Sequence, residues 1–453
     1  MKKKAYQSVL VIIADDWSRL AGCYGNTVIQ TPNIDALAER GVVFDYAFCT
    51  SPSCAVSRAC ILTGHHSHTH GQYGHCHGIH GFRTHEHMES TPKILRAHGF
   101  ATACIGKKHV EPQRVYPFEF EPNVNARSPI DMAEKVSTFL KQHRERPFYL
   151  HVGSAYPHRA GQGFGNERRP PGTKPIPYNP ADVIVPNFLP DVPDVRKDLA
   201  DYYESVSRYD QVVGAVLEAL EASGRADETL VFVTTDHAMP FPGAKASSFD
   251  TGHHCPLIIS SPDQQKRGIR NQALMSWVDF CPTILAWCGV DHPEGFNSLP
   301  GRSLLPILED DSPRPGNGKW EETYFSHCFH EVTNYYPYRV LRGRRYKYVR
   351  NLAHRLETPL PSDLFRSTTW AAVRRESIAM LGERPRERFL YQSYEALFDM
   401  ENDPAEANNL IDDPALSSVA AEMRHKLMDF RFRTKDPWLE QSFQEGEPGT
   451  ERW

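Results

Sequence analysis

The chain lacks any long hydrophobic run. Nowhere do about eighteen apolar residues follow one another, so neither a transmembrane helix nor a membrane partner is expected. It also lacks a block of like charge. Lys and Arg total 51 against 56 Asp and Glu, a net charge of −5, which argues against nucleic acid as the main partner. It has no C-x-x-C pair: the 10 cysteines are scattered singly and read as reduced core residues. Internal repeats and low-complexity tracts are missing too. The start, Met1-Lys2-Lys3-Lys4, looks briefly like a signal-peptide n-region. The apolar run after it, Ser8 to Ala14, is too short and flows into Asp15-Asp16 without a cleavage site. As written the chain reads as cytoplasmic; a periplasmic or secreted protein relieved of its export signal would look the same.

At 453 residues the chain exceeds one ordinary hydrophobic core. Short apolar runs at Ser8–Ala14, Ala101–Ile105, Phe148–Ser154, Thr229–Thr234 and Pro256–Ser260 suit a parallel sheet covered on both faces. Thr31-Pro32 opens a helix with a cap and an N1 proline, and Gly41 closes it. Ile130–Arg144 and Val195–Ser223 read as further helices. Gly161–Pro193, rich in Pro, Gly and Asn, reads as a long ordered loop over the site. Pro313–Gly318 reads as a linker. Beyond it Thr323–Ser326, Tyr338–Leu341 and Tyr346–Arg350 read as antiparallel strands, with a turn at Gly343–Arg345 and a helix over Leu416–Phe430. The fold class expected is α/β: a large mixed, mostly parallel sheet sandwiched by helices over residues 1–315. A smaller α+β domain on an antiparallel sheet, residues 316–453, would complete the substrate pocket.

The segment Ser53-Cys54-Ala55-Val56-Ser57-Arg58 precedes an apolar helical run ending at Leu62-Thr63-Gly64. A nucleophile at a helix start sits in the field of unpaired N–H groups, with Arg58 one turn on. Asp15-Asp16 and Asp236-His237 each end a strand, where open α/β sheets bind ligands. Together with the Cys54 position, three carboxylates make an oxygen-rich site that suits Ca²⁺ or Mg²⁺ better than zinc. His237 would add a nitrogen ligand or support one. Gly106-Lys107-Lys108-His109 and Tyr156-Pro157-His158-Arg159 follow two more strands, and Lys245 sits on a loop just past Asp236-His237. Lysines and histidines there could bind a sulfate or phosphate and move a proton. Singly, each set reads as a helix cap or a solvated turn. Five sets at strand ends read as one crevice.

A histidine cluster, His65, His66, His68, His70, His75, His77, His80, His85 and His87, suggests a transition-metal site by density alone. Its spacing matches no standard tetrahedral set, and the segment is Gly-rich. The reading preferred here is that a few line the substrate pocket and the rest are solvated.

These motifs resemble those of the type I sulfatases of the alkaline phosphatase superfamily, and within it the sulfamidase branch. The signature is Cys-x-Pro-Ser-Arg-x-x-x-Leu-Thr-Gly, matched at Cys54, Ser57, Arg58, Leu62, Thr63 and Gly64, with Val56 where the family has proline or alanine. Other anchors are Thr31–Ala38, Lys107–Val110, Pro157-His158-Arg159, His330-Glu331-Val332-Thr333 and the tail Leu397-Phe398-Asp399-Met400. The resemblance implies Cys54 oxidised to formylglycine by a maturation enzyme, and Ca²⁺ (or Mg²⁺) held by Asp15, Asp16, Asp236, residue 54 and His237, where the sulfamidase pattern has Asn. It implies that the hydrated aldehyde attacks sulfur, steadied by Arg58, while Lys107 and Lys245 hold sulfate oxygens. His158 would protonate the leaving atom, and His109 would help residue 54 expel sulfate. His330 and Glu331 would shape a pocket for a sulfated saccharide, and a homodimer is compatible with the family. Two other readings stay open: a phosphonate or phosphate ester hydrolase on the same scaffold, and a non-catalytic binder of sulfated glycans in which Cys54 is never matured.

Overall fold

The computed structural model describes residues 7–159, 161, 163–293 and 298–439. The Met1–Tyr6 part of the charged start lies outside the described residues. Seven strands form the main sheet: β1 (Ser8–Ala14), β2 (Val42–Phe48), β3 (Ala101–Gly106), β4 (Phe148–Gly153), β5 (Thr229–Thr235), β6 (His254–Ser260) and β7 (Ile269–Ser276). Their order is β3-β4-β1-β5-β6-β2-β7. β6 runs antiparallel to both its neighbours, and every other pairing is parallel.

Strand β1 shows why the sheet is covered twice. All seven residues of Ser-Val-Leu-Val-Ile-Ile-Ala are buried. Side chains alternate between faces with period two. Leu10, Ile12 and Ala14 therefore join one core cluster, with Val136, Phe139, Tyr202 and Val206 of the Pro129–Gln142 and Pro193–Ala222 helices. Val9, Val11 and Ile13 join the other, with Ile61 and Leu62 of the Cys54–Thr63 helix and Ile284 of the Phe280–Cys288 helix.

The second sheet is antiparallel, in the order β13-β10-β9-β8, from β8 (Glu322–Phe329), β9 (Tyr335–Gly343), β10 (Tyr346–Asn351) and β13 (Glu395–Asp399). A short ladder, β11 (Met380–Leu381) with β12 (Arg384–Pro385), precedes its last strand. The helix Ser417–Arg433 packs on this sheet through Met423, Leu427 and Phe430. Phe48 and Leu274 of the first sheet share a core cluster with Phe325, Tyr338 and Val340 of the second. That shared core holds the two sheets together beside the site.

The structure corrects four local expectations. Strands β2, β7 and β13 were not anticipated; β2 follows its helix with only Gly41 between, and β7 is a polar edge strand. Thr31 stands at the N-cap of the Pro32–Arg40 helix, but its side chain caps no helix N–H, because its hydroxyl donates to Asp35 and accepts from the Gly22 N–H. The cap comes from afar: Asp210 accepts the backbone N–H groups of Asn33 and Ile34 at 3.3 and 2.8 Å. The described part of the Gly161–Pro193 segment does not line the cavity over the site. It lies along the Pro193–Ala222 helix, with Tyr178 Oη 2.7 Å from Ser207 Oγ and Lys174 N donating to Gln211 Oε1 at 2.7 Å. Finally, the expected linker is only partly exposed: Pro315 is buried, while Pro313, Arg314 and Asn317 face solvent.

Candidate active site

The parallel pairing of β3, β4, β1 and β5 brings four carboxyl ends to one edge, and each delivers a polar group. Asp15 and Asp16 leave β1. Asp16 takes a left-handed backbone (φ 71°), uncommon for a non-glycine residue and a way to turn two adjacent carboxylates inward. Its N–H donates to Asp236 Oδ1 at 3.0 Å and its carbonyl accepts from the Tyr202 hydroxyl at 2.7 Å. Asp236, just past β5, donates its own N–H to the Ala14 carbonyl at 3.2 Å. Two backbone links thus lock the strand ends together.

The Cys54–Thr63 helix enters this edge with Cys54 as its first residue. The Cys54 sulfur lies 3.2 Å from His237 Nε2 and 3.8 Å from Asp16 Oδ1. Burial pushes the Cys54 thiol up, and Lys245, Lys107 and His237 only partly oppose that. A bare thiol here is protonated and weakly nucleophilic. Ser57 donates to the Asp236 carbonyl. Arg58 is fully buried: Nε donates to Asp236 Oδ2 at 3.0 Å, Nη1 to the Lys107 carbonyl at 3.0 Å and Nη2 to the Ala14 carbonyl at 3.3 Å. It therefore sits behind the carboxylates and fixes them.

Burial alone would raise the Asp15 carboxyl, but Lys107, His158 and Arg58 hold it well below its usual range. The same contest at Asp16 is won by Lys245, His158 and His237. Asp236 goes the other way: burial raises it despite Arg58. Lys107 Nζ is 2.5 Å from Asp15 Oδ2, and Lys245 Nζ is 2.9 Å from Asp16 Oδ2. His237 Nδ1 lies 2.9 Å from the Ala238 carbonyl, which can only accept, so that nitrogen carries a proton and Nε2 is turned to Asp16 Oδ1 at 3.0 Å. Burial opposes charge on this ring, but Asp236, the Cys54 sulfur and Asp16 raise it well above an ordinary histidine.

Ligand atoms of Asp15, Asp16 and Asp236 lie within 4.8 Å of one another, as do those of Cys54, Asp236 and His237. Asp15 Oδ1 is buried without a hydrogen-bond partner. Asp15 Oδ1 faces Arg58 Nη2 at 3.5 Å, and converging buried oxygens with such spare acceptor capacity fit a hard divalent cation.

Above this floor opens a cavity of about 540 Å³. Of the residues expected from the sequence, Cys54, Lys107, His109, His158, Lys245, His330 and Glu331 line it, while Asp15, Asp16, Arg58, Asp236 and His237 lie beneath. His158 reaches within 4.0 Å of Asp16 Oδ2 and keeps 31% of its side chain exposed. Desolvation lowers its pKa, against the pull of Asp15 and Asp16. Burial and then Lys107 hold His109 well below an ordinary histidine, so its ring is neutral.

The histidine cluster divides. His75, His77 and His80 line the cavity, with His75 Nε2 3.0 Å from His330 Nε2 and His77 Nδ1 2.8 Å from His109 Nε2. The others are not simply solvated as expected: His65, His66, His68 and His70 are buried, and only His85 and His87 face solvent. His68 Nε2 contacts Thr434 Oγ1 at 2.8 Å and His70 Nε2 the Cys60 sulfur at 3.3 Å. Among the described residues no three of the nine converge as a metal site. Two cavity residues, Ser362 and Asp363, were not anticipated. They open a one-turn helix, Ser362–Phe365, that carries no motif, and only the packing of the C-terminal region brings them to Lys245.

The sulfatase family model matches residues 7–290, and the model described as "N-sulphoglucosamine sulphohydrolase, C-terminal" matches residues 244–359. The chain is 35% identical to human N-sulphoglucosamine sulphohydrolase, over 96% of this chain and 91% of that protein. A structure solved in complex with its substrate D-glucosamine-2-N,6-O-disulfate superposes with a TM-score of 0.66 at 21% identity, covering 95% of this chain and 99% of the other. The phosphonate monoester hydrolase of Agrobacterium radiobacter superposes with a TM-score of 0.69 at 19% identity, covering 94% and 96%.

Proposed function

The chain belongs to the sulfatase family, and we propose that it hydrolyses the sulfamate or a sulfate ester of a sulfated amino sugar through a formylglycine at position 54, assisted by Ca²⁺. The observation that carries this is the place of Cys54: at a helix start, on the floor of a cavity, touching His237 and Asp16 and facing Lys107, Lys245 and His158. Asp15, Asp16, Asp236 and His237, with residue 54, would hold the cation. When present, the cation and the hydrated aldehyde supply charge neutralisation and an oxygen nucleophile with a second hydroxyl for its own release.

The remaining work falls to side chains of this chain. Lys107 and Lys245 place fixed positive charge where the sulfuryl oxygens gain negative charge. Each also pairs with a carboxylate, so its ammonium is held in place before substrate arrives. His158 is a cavity imidazole beside the Asp15 and Asp16 charges, which oppose the downward push of desolvation without overcoming it. It donates a proton to the departing nitrogen or oxygen. His109, kept neutral, accepts a proton; its Nδ1 is buried without a partner, which leaves that atom for the task. Arg58 does not line this cavity and acts by holding Asp236 and the Lys107 backbone in register.

The test compares turnover of N-sulfo-D-glucosamine, an O-sulfated glucosamine and a matched aryl phosphate and phosphonate. Sulfate release from the sulfamate or the sulfate ester should dominate; equal or better turnover of the phosphorus esters would overturn the reading. Intact-mass analysis of the peptide spanning Cys54 and Val56 should show formylglycine. A plain thiol in a fully active enzyme would remove the aldehyde from the mechanism.

A further inference from the structure

The cavity has walls of opposite character. Lys107, Lys245 and the histidines suit a sulfate, whereas Glu331, Ser362 and Asp363 present carboxylates and a hydroxyl to the same space. Asp363 keeps only 16% of its side chain exposed, and its Oδ2 lies 2.8 Å from Lys245 Nζ. Its Oδ1 accepts the Leu364 N–H at 2.9 Å. Glu331 Oε1 accepts both the N–H and the hydroxyl of Ser362, at 3.1 and 2.5 Å, and so fixes the turn that carries Asp363.

An ionised carboxylate accepts up to about four hydrogen bonds and donates none. Lys245 and Leu364 use one acceptor position on each Asp363 oxygen, which leaves capacity on both. A carboxylate repels the sulfate that the cavity otherwise attracts, so Lys245 alone does not explain its place in the wall. Sugar hydroxyls do: they are donors, and charge-assisted bonds to them are among the stronger neutral-to-ion contacts.

We propose that Asp363, braced by Ser362 and Glu331, accepts hydroxyl groups of the sulfated sugar ring and selects a ring unsubstituted by a second anion at those positions. This rests on the sulfatase reading above and adds a specificity-determining residue to it. A hydroxyl lost to Asp363 removes a charge-assisted bond, whereas an anionic substituent placed there meets two carboxylates.

Asp363→Ala and Asp363→Asn are compared with wild type on N-sulfo-D-glucosamine, its 3-, 4- and 6-deoxy analogues and an aryl sulfate without sugar hydroxyls. For Asp363→Ala on N-sulfo-D-glucosamine, KM should rise about tenfold or more, with a smaller change in kcat. One deoxy analogue should be a comparably poor wild-type substrate and lose little further in the variant, the non-additivity of a shared contact. Asp363→Ala should cost the sugar at least about fivefold more in kcat/KM than the aryl sulfate, whose own loss reports only the support given to Lys245. If Asp363→Ala does not fold, as judged by thermal unfolding, Asp363→Asn is read instead; it keeps an acceptor for Lys245 and should show the same pattern at smaller amplitude. Equal losses of kcat on sugar and aryl sulfate would overturn the proposal and leave Asp363 as a support for Lys245. So would losses that add fully with every deoxy analogue. A wild-type enzyme cleaving the aryl sulfate but no sugar overturns this proposal alone, whereas preference for phosphorus esters overturns the reading beneath it.

Discussion

His237 turns Nε2 to the Cys54 sulfur at 3.2 Å and anchors Nδ1 on the Ala238 carbonyl at 2.9 Å. The nucleophile position and the carboxylate cluster are therefore one site, joined through a ring whose orientation the backbone sets.

That junction predicts a folding response to calcium. Cation bound only by the native state stabilises it by about 2.7 kcal/mol at a hundredfold excess over Kd. The thermal midpoint should rise saturably with Ca²⁺, fall with a chelator, and cease to respond in Asp236→Ala. A wild-type midpoint indifferent to both additions would count against cation binding here.

Acid should destabilise the protein earlier than its carboxylates require. Desolvation lowers His65 and His68 to about 4, and His253, His254 and His327 to about 3. For a base whose folded pKa is depressed, the native state is unaffected above the unfolded value of about 6.5 and loses stability as pH falls from there toward the folded value. Each such histidine contributes about 1.4 kcal/mol per pH unit across that window. His237 is raised and acts in the opposite sense, adding stability at low pH that is lost as pH rises through its folded pKa. Denaturant unfolding at pH 7.5, 6 and 5 should show the depressed group prevailing, with the unfolding free energy falling steeply below about pH 6.5. His68→Gln should flatten the slope, and a pH-independent stability over that range would refute the argument.

Asp436 closes a buried two-point contact with Arg339, Nε to Oδ2 at 2.7 Å and Nη2 to Oδ1 at 2.8 Å, both side chains fully buried. It ties the chain beyond the Ser417–Arg433 helix to β9. Asp436→Ala takes the carboxylate from the buried Arg339 guanidinium and also from Arg431, whose Nε lies 3.1 Å from Asp436 Oδ2, and should cost about 3–5 kcal/mol. Urea unfolding would measure it; a cost under about 1 kcal/mol would mean that water reaches the pair.

Much of the site was legible because its parts follow strand ends, and strands buried on both faces are the easiest elements to recognise. Asp15, Asp16, Lys107, His158 and Asp236 were found that way. Strands β2 and β13 escaped because β2 merges with the end of a helix and β13 is an edge strand whose partner lies far away in the chain. The capping of the Pro32–Arg40 helix escaped for the same reason: the N–H groups near Thr31 are taken by a carboxylate 176 residues beyond Ile34, Asp210.

The sequence by itself determined the class of fold, the family, and the chemical types gathered at the strand ends, because hydrophobic period and motif spacing are local. Only tertiary structure decided that Arg58 lies under the carboxylates, that four histidines of the cluster are core residues, and that Asp363 joins Lys245 at the cavity. Those outcomes depend on which distant surfaces meet, and burial, not spacing, sets the charge and the use of each group.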